Sequence, residues 1–303
     1  MNFLITGGAG FIPSSTAEKL LEDESNTVVL VDNFLTGKRG NIPIHDRCHF
    51  YRCDVNCLDD IAPIFDQYQF DYVFHYAAVV GVKRTLDNPI MVLDDIQGIR
   101  NILELSRQHG IKRVFYSSSS EVYGEPVHLP QNEETTPLNS RLPYAVVKNV
   151  GESYFRSYYQ AYGLEYTIFR FFNTYGPKQS PDFVVSRFLT AAINGDDITI
   201  YGDGSQTRTF CFIDDNIEAC LNTLNEPESA NEVYNIGNEE IVSIKELAEL
   251  ILKLTNSSSN IVYLPPLEEG DMTRRQPDAS KMKKLLNRDW ISLEEGLKKI
   301  IQS

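Results

Sequence analysis

Alternating strand and helix signals through the first half of the chain, a glycine-rich turn after the first strand and an acid closing the second predict an α/β fold. The expected core is a doubly wound, mainly parallel sheet covered on both faces, followed by a smaller mixed α/β lobe. Parallel strands cannot be joined by a tight turn, so each must return through a crossover, usually a helix. Asn2-Phe3-Leu4-Ile5-Thr6 is the first apolar run, Gly7-Gly8-Ala9-Gly10 follows at once, and helical periodicity runs from Phe11 to about residue 21.

Strand, glycine turn and helix in that order form a Rossmann-type anion site, because backbone N–H groups and the positive end of the helix dipole converge there. Gly7 and Gly10 let the backbone approach a pyrophosphate, and the N–H groups of Phe11 and Ile12 are expected to meet it. Val28-Val29-Leu30-Val31 is the second strand and ends in Asp32, twenty-two residues after Gly10, where a carboxylate accepts from ribose hydroxyls. NAD rather than NADP is expected, since Asp32 would repel a 2′-phosphate and Asn33 adds no cation. Pro13 stands where a third glycine would normally let helix and strand pack closely. Proline is tolerated in a first helical turn, so the helix is expected to begin normally.

A strand near 48–53 leads into Asp54 and Val55, expected beside the adenine, and a short helix covers 59–67. The strand at 71–75 runs into Tyr76-Ala77-Ala78, where Ala77 and Ala78 leave room for a ribose or simply pack. Asn88-Pro89 opens a helix to about 109, and the strand at 112–116 ends in Ser117-Ser118-Ser119-Ser120-Glu121. The aperiodic, proline-rich stretch 124–143 reads as a functional loop. A helix at 144–162 and a strand at 165–172 complete the first lobe, so domains are expected at 1–172 and 173–303, with segments near 208–237 returning to the first. Beyond it the spacing predicts a helix at 183–194, strands at 198–201, 208–213 and 261–264, and helices at 214–224, 244–254 and from Ser280 and Ser292. Ser243-Ile244-Lys245-Glu246 has the capping-box spacing.

The formal charge is −14, which argues against nucleic acid and anionic membrane as partners, since both demand a basic face. No run is long and apolar enough for a membrane span, and no basic-then-apolar leader precedes the first strand, so a cytoplasmic enzyme is expected. Five cysteines fit reduced thiols. His45, Cys48, His49, Cys53 and Cys57 crowd together, but without a paired ligand spacing they predict no metal.

Tyr144 and Lys148 lie four apart on one predicted helix and so share a face. An ammonium beside a phenol favours the phenolate, which can take a proton from a sugar hydroxyl. Thr6 to Ile12, Ser118 to Gly124, Tyr144 to Lys148, Phe172 to Pro177, Tyr201 to Arg208 and Arg274 to Asp278 together carry a resemblance over nearly the whole chain. The chain resembles extended short-chain dehydrogenases/reductases of the nucleotide-sugar epimerase/dehydratase family.

That resemblance implies Ser119 as a catalytic hydroxyl, Tyr144 as base, and Lys148 on both the tyrosine and the nicotinamide ribose. It implies NAD as an internal redox agent at sugar C4, Asn173, Arg208 and Arg275 as holders of a nucleotide-diphosphate sugar, with a UDP-linked one expected, and a homodimer paired through helices 89–109 and 144–162. Glu121 is found in decarboxylases and some 4,6-dehydratases of this kind, and with Ser120 it would assist proton return to C5. The stretch 184–215 is similar to UDP-glucuronate decarboxylases, whereas His75 to Gly81 and Tyr144 to Lys148 are similar to 4-epimerases. Asp95 departs from an Asn that relatives often carry. A UDP-glucuronate decarboxylase is the first expectation, with UDP-hexose or UDP-hexuronate 4-epimerase next and NDP-sugar 4,6-dehydratase third. A non-catalytic NAD-binding sensor or scaffold is the reading from another class.

Overall fold

The structure is a computed structural model and describes residues 1–266 and 275–302. The first unit opens with β1 (Asn2–Thr6), α1 (Phe11–Leu21), β2 (Thr27–Asp32), β3 (Cys48–Arg52), α2 (Leu58–Gln67) and β4 (Tyr72–His75). It continues through α3 (Val82–Asp87), α4 (Pro89–Gln108), β5 (Arg113–Ser119), α5 (Pro143–Tyr162) and β6 (Glu165–Phe171). Then come β7 (Thr174–Tyr175), α6 (Val184–Asn194), β8 (Ile198–Tyr201), β9 (Thr207–Thr209), β10 (Cys211–Phe212), α7 (Ile213–Asn222), β11 (Glu232–Ile236) and β12 (Ile241–Ser243). The chain closes with α8 (Ile244–Thr255), β13 (Ile261–Leu264), α9 (Ser280–Leu286) and α10 (Leu293–Gln302).

Seven strands form the main sheet in the order β11-β6-β5-β4-β1-β2-β3, and β1 pairs in parallel with both β2 and β4. Side chains alternate across a strand, so burial of every residue from Phe3 to Ile5 means that both sheet faces are covered. One face joins Leu4, Val29, Val73 and Val114 to Ile61 and Phe65 of α2, Ile99 and Ile102 of α4, and Val147 and Phe155 of α5. Burying each such side chain contributes about 1.5–3 kcal/mol, which makes this layer the main source of rigidity beneath α5.

By contacts the chain forms two compact units, Met1–Val122 with Leu138–Arg170 and Cys220–Tyr234, and Tyr123–Pro137 with Phe171–Ala219 and Asn235–Ser303. The second unit holds three two-stranded pairings: β8 with β13 and β7 with β10 in parallel, and β9 with β12 antiparallel. Its α8 begins in a complete capping box, the Ser243 hydroxyl accepting from the Glu246 N–H while the Glu246 carboxylate accepts from the Ser243 N–H.

Three local expectations change. The run at 208–213 is two strands rather than one, because Arg208 pairs with Val242 whereas Cys211 and Phe212 pair with Thr174 and Tyr175. The partner changes at buried Phe210, so one ladder cannot continue through it. Helix α7 consequently starts at Ile213, and the short α3 and the edge strand β11 have no counterpart in the sequence reading. No described helix is long and apolar enough to cross a membrane.

Candidate active site

Gly7 has φ of +70°, and a Cβ there would lie 3.0 Å from both the N and the Cα of Ala77. The turn is therefore glycine for two reasons, its left-handed backbone and its contact with the adjoining strand end. Helix α1 starts at Phe11 with Gly10 as its N-cap, and neither a capping side chain nor an acid occupies its first turn. The Phe11 and Ile12 N–H groups have no intrahelical acceptor at those positions, which leaves a donor pair aligned with the helix dipole. Pro13 is buried at the third helical position and does not delay the helix. Its missing N–H falls where no intrahelical bond is made. Pro13→Gly is therefore expected to change NAD affinity less than about threefold by calorimetry. Much tighter binding by the glycine variant would show the ring to be an obstruction.

Asp32 ends β2 almost fully buried, and its carboxylate accepts from the Ala9 N–H at 3.0 Å and the Phe34 N–H at 2.7 Å. Burial raises its pKa, and those two N–H donors oppose the rise. A Cβ on Gly37 would sit 2.7 Å from an Asp32 oxygen, so a glycine keeps that side of the carboxylate open. The Asn33 amide donates to Asp54 at 3.1 Å, joining two of the expected cofactor contacts. Val55 is buried, and its carbonyl accepts from the Asn101 amide. Ala77 and Ala78 are half-buried at the end of β4. The Thr6 hydroxyl accepts from the N–H groups of Tyr76 and Ala77 and lies 2.9 Å from His75 Nδ1. With both acceptances taken by N–H donors, the hydroxyl donates to Nδ1. His75 is accordingly neutral, and burial followed by the nearby Lys148 charge pushes its pKa down to about 3.

Helix α5 carries Tyr144 and Lys148 on the face toward the end of β5. Lys148 Nζ donates to the Ser117 carbonyl at 2.6 Å and lies 5.7 Å from the centroid of the Tyr144 ring. Burial lowers the lysine to about 8, with Asp95 pulling the other way. Ser119, two residues beyond that carbonyl, accepts the Glu121 N–H at 3.2 Å, which leaves its own proton for another acceptor. Glu121 is half-buried, whereas Ser120 is almost wholly enclosed. One turn past Lys148 on α5, the Glu152 carboxylate accepts from Ser118 at 2.7 Å and from both ends of the Arg170 fork at 2.9 and 2.8 Å. The end of β5, helix α5 and strand β6 are thus locked through a single carboxylate.

The remaining expected contacts lie in the second unit. Asn173 precedes β7, its amide donates to the Thr209 carbonyl at 3.3 Å, and its own carbonyl accepts from Cys211 N. Arg208 is buried on β9, with Nη1 on the Thr207 carbonyl at 2.8 Å. Arg275 is half-buried just before Gln276, whose carbonyl accepts from Gln131 N, and Arg274 lies outside the described residues. Among the described residues no three His, Cys, Asp or Glu side chains gather where they could hold a metal ion.

A family model described as the NAD dependent epimerase/dehydratase family matches residues 3–237. The chain belongs to that family. It is an enzyme, and NAD is its cofactor; the open donors at α1 and the two-donor cradle around Asp32 fit that group. A UDP-N-acetyl-alpha-D-glucosaminuronate decarboxylase of Bacillus cytotoxicus is 39% identical, over 99% of this chain and 96% of its own length. The UDP-glucose 4-epimerase of Thermotoga maritima, solved with UDP-glucose, superposes with a TM-score of 0.93 at 34% identity, covering 100% of this chain and 98% of that one. The UDP-glucuronic acid 4-epimerase of Bacillus cereus, solved with UDP-glucuronic acid and NAD, gives 0.90 at 31% identity, covering 100% and 99%.

Three contributors to the site lay outside the sequence reading. Gly37 sits in a loop with no periodic signal, and only the Asp32 carboxylate beside it explains it. Asn56 reaches α4, accepting from the Gly98 N–H at 2.9 Å, and Glu152 would have stood out only as an acid one turn beyond Lys148.

Proposed function

We propose that this enzyme acts on a UDP-linked hexuronic acid, oxidising C4, losing the C5 carboxylate as CO2 and reducing C4 again. The observation that carries the reading is Lys148 lying against Tyr144 and the Ser117 carbonyl, two residues before Ser119, with Glu121 donating its N–H to the Ser119 hydroxyl. NAD, when bound, supplies reversible removal of a hydride from C4. Tyr144 takes the C4 hydroxyl proton, and Lys148 holds positive charge beside the resulting phenol. Ser119 directs its hydrogen at the same sugar oxygen and steadies it as it becomes a carbonyl. A carboxylate on C5 is then β to a ketone and leaves readily, after which Glu121 with Ser120 returns a proton to C5. Arg275 is assigned to the sugar carboxylate and Asn173 and Arg208 to the diphosphate, since a guanidinium fork matches paired anionic oxygens. Gly7, Gly10, Phe11, Ile12, Asp32, Asn33, Asp54, Val55, Ala77 and Ala78 are assigned to the cofactor. The similarity to the decarboxylase from Bacillus cytotoxicus, over 96% of its length, supports this reading.

A 4-epimerase is the second reading, favoured by the two solved epimerases and by the stretch His75 to Gly81. It needs the same oxidation but turns the ketone over before reduction. Incubation with UDP-glucuronate, UDP-N-acetylglucosaminuronate and UDP-galactose, followed by mass spectrometry and NMR, separates the two. A product lighter by one CO2 is the expected result, and an isomer of unchanged mass selects the epimerase. We also assign the enzyme to the cytoplasm and to a homodimer through α4 and α5, with light scattering as the test of the latter.

A further inference from the structure

Two groups reach back to the glycine turn from the loop that follows β2. Ala9 is wholly buried, and its carbonyl accepts from the Lys38 N–H and from the Asn41 side-chain amide, both at 2.9 Å. Lys38 and Asn41 stand at the two ends of one 3-10 turn, Arg39–Asn41, so a single turn grips one oxygen twice. A carbonyl has two lone pairs, and both are used here. The Ala9 N–H meanwhile donates to Asp32, whose other oxygen takes the Phe34 N–H. Asn33 joins the same loop to Asp54 at 3.1 Å. The loop is therefore tied down at the glycine turn, at Asp32 and at Asp54. This closure strains the chain, because Phe34 has φ of +64°, a left-handed backbone that residues with a β-carbon rarely adopt. Its ring is held against Phe50, with centroids 5.1 Å apart, and lies under the Arg39 guanidinium at 5.8 Å. Backbone strained in this way persists where its surroundings over-determine it, and it gathers at ligand clamps.

We propose that Asn41 is a positioning residue for the adenosine diphosphate half of the cofactor. It fastens the loop 33–41 to the glycine turn, turns the Ala9 carbonyl away from the pyrophosphate and keeps the Ala9 N–H on Asp32. The reason is electrostatic. Ala9 lies between Gly8 and Gly10, in the turn assigned to the pyrophosphate, and a carbonyl oxygen swung toward that anion would repel it. Held by Lys38 and Asn41, the oxygen is directed into the loop, and the Phe11 and Ile12 N–H groups meet the anion unopposed. Asn41 acts through Ala9 rather than by contact with the ligand. The proposal rests on the assignment of the glycine turn and Asp32 to NAD made above, and on no assumption about the sugar.

The test separates the two halves of the cofactor. Protein freed of NAD is titrated by calorimetry with NAD and with ADP-ribose, which keeps the adenosine and pyrophosphate and lacks the nicotinamide. In Asn41→Leu, close in shape but without the donor, both affinities are expected to fall by about tenfold, the effect of one buried hydrogen bond removed. Asn41→Asp, which sets a negative charge against the carbonyl, is expected to lose at least as much. Hydrogen exchange in the NAD-free state gives a second reading. The Lys38 amide, bonded to the same oxygen, should exchange faster in the variants, while the Gly8 amide, bonded to the Val31 carbonyl, keeps its wild-type rate. If Asn41→Leu does not fold, Asn41→Ser, too short to reach Ala9, takes its place. Affinities within about twofold of wild type in a folded variant would overturn the proposal, whether or not the unfolding midpoint had dropped. A loss for NAD without one for ADP-ribose would overturn it as well, by placing the effect on the nicotinamide half. Wild-type protein that bound neither ligand would withdraw the cofactor assignment itself, a result distinct from a defect confined to the variants.

Discussion

Tyr144→Phe is expected to lower turnover of the sugar by roughly a thousandfold, within the 10²–10⁴ range that general-base catalysis supplies. The substitution removes one oxygen and leaves the ring, so its stacking beside the Lys148 ammonium is preserved. NAD content after purification and the unfolding midpoint should match the wild type, because the donors at α1 and the Asp32 cradle lie on other elements. The informative measurement is single-turnover NADH absorbance at saturating sugar. A loss in kcat with KM nearly unchanged marks an interaction realised in the transition state. Retention of more than a tenth of wild-type activity would remove Tyr144 from the base role. Equal silence of wild type and variant on a broad nucleotide-sugar panel would favour a protein that binds NAD without catalysis.

Arg170→Met is expected to cost about 3–5 kcal/mol of stability, since it strands the wholly buried Glu152 carboxylate without its main partner. Burial alone would raise the Glu152 pKa, but hydrogen bonds and charge from Arg170 outweigh it, leaving the group below its ordinary value of 4.5. A depressed carboxylate contributes stability that is fully present above its unfolded pKa and is lost as the pH falls through the folded one. The stability gap between wild type and variant in urea should therefore be widest near neutrality and close below about pH 4.5. A Glu152→Leu, Arg170→Met double variant should recover part of the loss, because no uncompensated charge remains. If Arg170→Met alone costs under 1 kcal/mol, the lock between β5, α5 and β6 is not a significant source of stability.

The parts of this fold legible in the sequence were those with a local physical signature. The glycine turn, the acid closing β2, the proline opening α4 and the capping box of α8 each state their geometry within a few residues. Strand β11 did not, because Asn235 interrupts its apolar pattern and is satisfied by distant groups, among them the Gln131 carbonyl, the Glu133 carboxylate and the Tyr123 hydroxyl. The break at Phe210 was hidden for a related reason, since a change of pairing partner leaves no mark on the composition of the strand. In the candidate site, the juxtaposition of Tyr144 and Lys148 on one face of α5 was readable from their one-turn spacing. Glu152 was not readable in its present role, because a carboxylate's effect depends on which cation the fold brings opposite it.

Strand β11 also bears on how the molecule is made. A ribosome that has delivered β6 has not delivered the neighbour that covers its edge; that arrives only with residues 232–236, after much of the second unit has been synthesised. Until then the nascent sheet offers unpaired backbone to any passing strand, the condition under which chains mispair with one another. Neither unit can be lifted out with one cut, and a gene fragment ending near residue 172 should yield insoluble product unless the missing strand is supplied in trans.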